Sequence, residues 1–311
     1  GLGPQGPLQL QWRPYRFALP QAMVTSQGAW SERAGWLLRL KAADGRLGWG
    51  EAVVEPQQRG GLTAAMAPLP AALDRPVLET LLPQLPKPLA CALGMALAEL
   101  DGLGSTASGG GWRAAPPSAF LLPAGEAALA ALDEALQTAA AAGHPPTVKW
   151  KVAAAADAQE RRLLDLLLAQ LPANGRLRLD ANGGWDRTTA QAWAQRLAAE
   201  PRLDWLEQPL PPADQAGLEA LALQLPVALD ESLRSPAGWR PGVDWPGWLV
   251  RRPLLEGDPR PLLAALTAGT PRLMLSTALE TGIGRRLLQH LAALQAVGPT
   301  PTAPGLAPGW R

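Results

Sequence analysis

Cysteine and histidine are almost missing from this sequence of 311 residues, which holds one Cys (Cys91) and two His (His144 and His290). A single cysteine rules out an intramolecular disulfide framework and any Cys-cluster zinc or iron–sulfur centre. Two histidines, with no HExxH pattern, leave little room for a His-rich metal site. A surplus of charge is missing too: 28 Lys plus Arg face 27 Asp plus Glu, a net charge of +1. Nucleic-acid partners are therefore not expected, since they demand clustered excess base. No run approaches the ~18 unbroken apolar residues of a membrane span, and the first residues lack the apolar core of a signal peptide. The expected setting is cytoplasmic, without a membrane span. Lysine is scarce as well. Only Lys41, Lys87, Lys149 and Lys151 stand among the 28 basic residues, and the rest are Arg.

What is abundant argues for a packed protein. Hydrophobic residues make up 47% and charged residues 18% of the chain, which supplies a sizeable core and argues against wholesale disorder. At roughly 150 residues per domain, the length suits one large domain or two modest ones. The first hundred residues read as an α+β unit. Leu8 to Phe17 and Gly35 to Ala42 have strand character, and Asp44-Gly45 is a hairpin turn into Arg46 to Val54. Pro86 to Asp101 reads as an apolar helix, with Gly102 and Gly104 placed to stop it. Residues 57–85, rich in Pro and Leu, give no clear assignment, and 104–111 (GSTASGGG) reads as a flexible loop or linker.

From about residue 117 the pattern becomes one of alternation. Helix-like stretches (126–142, 157–171, 187–199, 213–224, 259–268 and 283–295) are separated by SAFLL, TVKWKV, RLRLD, LDWLEQP, PVALDES, GWLVRRP and RLMLST. Such alternation predicts parallel βα units. Strand ends near 151, 180, 207, 230, 252 and 276 recur every ~22–29 residues, which suits a (β/α) barrel. An open dinucleotide-binding sheet would want GxGxxG after its first strand, and none is there.

In a parallel barrel, functional groups sit at the carboxyl ends of the strands. Those ends read Lys149 and Lys151, then Asp180 with Asn182, then Glu207, then Asp230 with Glu231. Carboxylates gathered on a barrel rim repel one another unless a cation joins them, and a hard divalent ion such as Mg²⁺ is the natural partner. The bland alternative is a set of unrelated surface acids, which three at consecutive strand ends disfavour. In TVKWKV, period-two alternation puts Lys149 and Lys151 on one side and Trp150 on the other. Lys, unlike Arg, can be driven neutral by nearby positive charge and partial burial, and then act as a base. A Lys base facing carboxylate-bound Mg²⁺ points to proton abstraction beside a carboxylate, with the metal neutralising the charge of the enediolate.

The motifs KWKV, RLDANGGW, WLEQP, ALDES and LSTALETGIG, in this order and spacing, resemble the muconate-lactonizing branch of the enolase superfamily. The stretch GAWSERAGWLLRLKAADGRLGWGE resembles that branch's capping domain, including its substrate-covering loop. Within the branch, the chain is most similar to the o-succinylbenzoate synthases. The resemblance implies an α/β fold. An enolase-type (β/α)7β barrel over 113–298 would carry the active site, and an N-terminal α+β capping domain over 1–112 would be joined by residues 299–311. It implies Mg²⁺, with Mn²⁺ as a substitute, held by Asp180, Glu207 and Asp230. Lys151 corresponds to the acid/base, and Lys149 to its helper near the substrate carboxylate. Asn182 and Glu231 would orient ligands. Ser276 falls where the family contacts a succinyl side chain, Gly28 and Trp30 lie in the closing loop, and Gly305 lies near a pocket-lining segment. The implied partner is a small-molecule carboxylate, and the chain would act as a monomer or homo-oligomer.

One position departs from the family pattern. Where the family has Lys before Pro at the next strand end, this sequence reads LVRRP, with Arg252. Arg does not readily give or take a proton. A racemase or epimerase needs two bases, one on each face of the α-carbon, whereas a syn dehydration runs on one. The single Lys removes the α-proton and then protonates the departing hydroxyl, and Arg252 need only stabilise charge or lie against the ring. The implied activity is therefore Mg²⁺-dependent dehydration of 2-succinyl-6-hydroxy-2,4-cyclohexadiene-1-carboxylate to 2-succinylbenzoate, a step of menaquinone or phylloquinone biosynthesis. The rivals are an N-succinylamino acid racemase or dipeptide epimerase, which Arg252 disfavours, and an inactive metal-binding scaffold barrel. Retention of Lys151 and all three carboxylates disfavours the last.

Overall fold

The computed structural model describes residues 6–25, 28–236, 241 and 244–306. They fall into two compact units: one of Gly1–Pro116, Arg252–Pro271 and Leu275–Arg311, the other of Pro117–Arg251 and Arg272–Met274. Of the C-terminal segment 299–311, residues 307–311 lie outside the described residues.

The chain starts with three antiparallel strands, β1 (Leu8–Thr25), β2 (Gly28–Lys41) and β3 (Leu47–Val54). The expected Asp44-Gly45 turn joins β2 to β3, with Gly45 at φ +87°, a conformation that suits glycine. Residues 57–85 hold what the pattern did not reveal: α1 (Arg59–Met66), β4 (Ala72–Leu73) and α2 (Arg75–Leu81). These elements are too short to show a periodicity, because Pro and Gly interrupt the run every few residues. β4 pairs with β1 and completes the order β3-β2-β1-β4. Helix α3 (Lys87–Leu100) is buried along nearly its whole length and packs on the sheet through Leu89, Leu93 and Leu97, opposite Leu38 and Leu40. Close approach is possible because β3 carries Gly48 and Gly50. A Cβ there would come within 2.1 Å of the Ala96 carbonyl oxygen and 2.0 Å of that of Ala92. The expected loop at 104–111 forms one helical turn, α4 (Thr106–Gly109), which the Ser105 hydroxyl caps by accepting from the Ala107 N–H.

The alternating half follows: β5 (Phe120–Leu122), α5 (Ala127–Ala142), β6 (Thr147–Lys151), α6 (Asp157–Gln170), β7 (Arg176–Asp180), α7 (Arg187–Leu197), β8 (Leu203–Glu207), α8 (Gln215–Ala222), β9 (Val227–Leu229) and β10 (Trp248–Arg251). After them come α9 (Pro253–Glu256), α10 (Arg260–Thr267), β11 (Leu273–Leu275) and α11 (Gly282–Ala296). The seven strands form a curled parallel sheet in the order β11-β10-β9-β8-β7-β6-β5, the (β/α) arrangement expected. Among the described residues, Ser276, just after β11, forms an isolated parallel bridge with Gly305. Alternation sends Val148, Trp150, Leu177 and Leu179 into the core shared with the helices. Tryptophans scattered in sequence meet there: Trp185 stacks on Trp193 at 5.0 Å, and Trp150 lies 6.3 Å from the same ring. Among the described residues, no helix is long and apolar enough to cross a membrane.

Candidate active site

Sheet register lines up the strand ends. Lys151 pairs with Asp180, Asp180 with Glu207, and Glu207 with Ala228. Asp230 stands two residues beyond Ala228. The burial of β6 follows the predicted alternation, with Val148 and Trp150 buried, Lys149 half-buried and Lys151 exposed. All three carboxylates are withdrawn from water: Glu207 is 0% exposed, Asp230 3% and Asp180 7%. Lys149 Nζ lies 3.5 Å from Asp180 Oδ2 and 3.4 Å from Glu207 Oε2. Arg234 Nη2 donates to Asp230 Oδ1 at 2.7 Å. Asn182 donates through its backbone N–H to Asp180 Oδ1 at 3.1 Å, and through Nδ2 to Glu231 Oε1 at 3.0 Å.

The structure thus brings Lys149, Asp180 and Glu207 together, and Asn182 with both Asp180 and Glu231. Among the described residues, no three His, Cys, Asp or Glu side chains are grouped so as to enclose a metal ion. The like-charged acids instead turn to neighbouring cations, Lys149 for two of them and Arg234 for the third. Their electrostatics still favour added positive charge. Burial, and next the charge of Glu207, hold the Asp180 carboxyl well above its ordinary range, with Lys149 opposing. Burial, followed by Asp230, raises Glu231, whose Oε2 is buried without a hydrogen-bond partner. A donor set of carboxylate oxygens around such a deficit fits a hard divalent cation.

Residues just beyond the strands, of which the motifs singled out only Asn182, hold these strand ends in place. Ala153, Asn182 and Gln208 follow β6, β7 and β8 with φ of +58°, +47° and +40°, a left-handed conformation that costs energy unless the surroundings enforce it. The buried Glu160 carboxylate of α6 accepts from the N–H groups of Ala153, Ala154 and Ala155, immediately after the Lys151 strand. Its sequence signal was an acid in the first helical turn. Gln208, buried at the end of β8, accepts from the N–H groups of Asp230 and Ser232 and donates to the Leu210 carbonyl and the Ser232 hydroxyl. It therefore fixes the turn that carries Asp230 and Glu231. An amide between Glu and Pro at an apolar strand end was the available clue.

The remaining predicted residues belong to the first unit. Arg252 donates to the Thr277 carbonyl at 2.6 Å. Ser276 bridges to Gly305, whose N–H donates to Leu275 and whose carbonyl accepts from Thr277 N–H. Gly28 pairs with Thr25 and Trp30 with Met23, at the end of the β1–β2 ladder where the chain passes from one strand to the next. The Trp30 ring lies 4.6 Å from the Arg33 guanidinium, and Arg33 donates to the carbonyls of Ala278 and Leu279. One short segment, 275–279, therefore ties down Arg252, Gly305 and, through Arg33, Trp30.

Behind that segment, fully buried Glu51 of β3 accepts from the Tyr15 hydroxyl, the Thr281 N–H and hydroxyl, and the Gly284 N–H. Its charge caps the amino end of α11. Burial, and next the charge of Glu51, push the Tyr15 phenol upward and keep it protonated as the donor. Glu51→Ala orphans four donors at once, so the unfolding free energy should fall by ~3 kcal/mol or more. Denaturant unfolding of variant and parent measures this, and an unchanged midpoint would refute the cap.

The chain is similar to known proteins in sequence and in fold. Residues 130–244 match the enolase C-terminal domain-like family. Over 297 residues the chain is 36% identical to the o-succinylbenzoate synthase of Thermosynechococcus vestitus, covering 91% of this chain and 88% of that one. It is 32% identical over 308 residues to the o-succinylbenzoate synthase of an Enterobacter species, covering 94% and 88%. A crystal structure of o-succinylbenzoate synthase from Thermosynechococcus elongatus, complexed with Mg in its active site, superposes with a TM-score of 0.78 and 34% identity, covering 96% of this chain and 92% of that one. The chain belongs to the o-succinylbenzoate synthase family of the enolase superfamily.

Proposed function

We propose that the protein is an o-succinylbenzoate synthase, a carbon–oxygen lyase that converts 2-succinyl-6-hydroxy-2,4-cyclohexadiene-1-carboxylate to 2-succinylbenzoate and water. The observation that carries the reading is the register row Lys151–Asp180–Glu207, in a chain similar to such synthases along nearly its whole length. Asp180, Glu207 and Asp230 would hold Mg²⁺, with Asn182 and Glu231 orienting them. When bound, the ion supplies positive charge that steadies a substrate carboxylate as negative charge develops on it. Lys151 takes the α-proton and returns it to the departing hydroxyl on the same face, so that water leaves and the ring becomes aromatic. Lys149 holds positive charge beside the substrate carboxylate, and Arg252 contributes charge without acting as a second base. Ser276, Gly28, Trp30 and Gly305 complete the proposal as substrate contacts. The cytoplasm is the proposed setting.

One experiment separates this reading from its relatives. Purified protein with Mg²⁺ is given the cyclohexadiene carboxylate, and 2-succinylbenzoate is followed chromatographically. In parallel, each enantiomer of an N-succinylamino acid is incubated in heavy water. Dehydration without α-deuterium exchange in both enantiomers is expected. Exchange in both, with no dehydration, would establish a racemase instead.

A further inference from the structure

One step below the carboxylate row lies a second row in register: Lys149, Arg178 and Trp205 on β6, β7 and β8. Arg178 and Trp205 are each 0% exposed. Burying a guanidinium is costly unless its charge is met, and a local irregularity of the sheet meets it. Between Leu177 and Arg178 the pairing with β8 jumps from Leu203 to Trp205, which leaves Asp204 as an extra residue. A bulge of this kind re-aims its side chain. Asp204 Oδ2 accepts from Arg178 Nε at 2.9 Å, and Oδ1 accepts from Arg176 Nε at 2.7 Å. The guanidinium carbon of Arg178 lies 4.1 Å from the centre of the Trp205 ring, a cation–π contact in dry surroundings. Trp248 packs against the same indole with ring centres 4.9 Å apart. So fixed, Trp205 donates its indole N–H to Glu207 Oε1 at 3.2 Å. The other oxygen of Glu207, Oε2, is the one near Lys149.

We infer that Trp205, clamped by Arg178 and the bulged Asp204, is a positioning residue that holds Glu207 in one orientation, with Oε1 tied to the indole and Oε2 on the side of Lys149 and Asp180. The inference rests on the proposed role of Glu207 as a Mg²⁺ ligand. A carboxylate already bonded from behind loses less freedom when it takes up an ion, and removing such outer partners typically weakens metal binding ~10–100-fold. Ring packing alone does not supply this, because an apolar ring leaves Oε1 buried without a donor.

The test is Mg²⁺ affinity, read by calorimetric titration of the metal-stripped protein, with Mn²⁺ electron paramagnetic resonance as a second signal. Trp205→Phe keeps an aromatic ring and removes the N–H, and its dissociation constant for Mg²⁺ should rise about tenfold. Benzothienylalanine placed at position 205 by stop-codon suppression keeps the fused ring and exchanges N–H for sulfur. It should show the same rise, and it decides the matter if the Phe variant does not fold. Parent-like affinity in the benzothienyl variant overturns the inference, whatever the Phe variant does. Absence of Mg²⁺ binding in the parent itself overturns the reading of Glu207 as a ligand, and this inference with it.

Discussion

Lys151→Ala should lower turnover of the cyclohexadiene carboxylate by about ten-thousandfold, the upper range for losing a positioned acid–base group, equivalent to about 5 kcal/mol of barrier. The expectation is this large because the proposed mechanism asks one lysine to do two jobs, its neutral amine removing the α-proton and the resulting ammonium then protonating the hydroxyl. No other lysine can replace it from the same strand, since Lys149 is engaged with Asp180 and Glu207. Stability should hardly change. Lys151 is exposed at the end of β6, and truncation of such a side chain usually moves stability by no more than ~0.5 kcal/mol. Mg²⁺ titration of the variant should therefore match the parent while product formation disappears. Turnover near the parent's value would remove Lys151 from the mechanism.

Glu207→Gln should abolish Mg²⁺ uptake, raising the dissociation constant beyond about a hundredfold, and turnover should fall with it. The substitution keeps the volume of a wholly buried side chain and removes only its charge. Its effect on the metal-free protein should have the opposite sign. Glu207 is, after burial, the largest influence raising the Asp180 carboxyl, so deleting its charge relieves repulsion among withdrawn carboxylates. The metal-free variant should melt no lower than the parent. On adding Mg²⁺ to a hundred times the parent's dissociation constant, the parent gains ~2.7 kcal/mol by linkage, and the variant at that concentration gains no more than ~0.4 kcal/mol. A melting curve of each protein with and without Mg²⁺ reads both effects. A Mg²⁺-dependent rise in the variant as large as the parent's would show that Glu207 is not a ligand.

Much of the fold was legible because it is written locally. A helix or strand is chosen by the spacing of apolar residues within a dozen positions, and the alternation from residue 117 onward is long and regular. The same holds for the face shared by Lys149 and Lys151, which follows from period two, and for carboxylates standing where each strand stops. Legibility failed where local signals were short or broken, at residues 57–85 and at the turn of 106–109. It failed again where a side chain's partner is distant in sequence, as with Glu51 and Thr281 or Gln208 and Asp230.

The sparse lysines and the single cysteine could by themselves exclude disulfide and Cys-cluster chemistry and point to the strand TVKWKV. They could also set three acids at successive strand ends, because composition and periodicity belong to consecutive residues. Only the tertiary structure decided which charges meet: Lys149 between Asp180 and Glu207, Arg234 on Asp230, Arg178 over Trp205. Those pairings depend on sheet register, on one extra residue in β8 and on burial, which makes each charge seek the partner that three-dimensional packing places nearest.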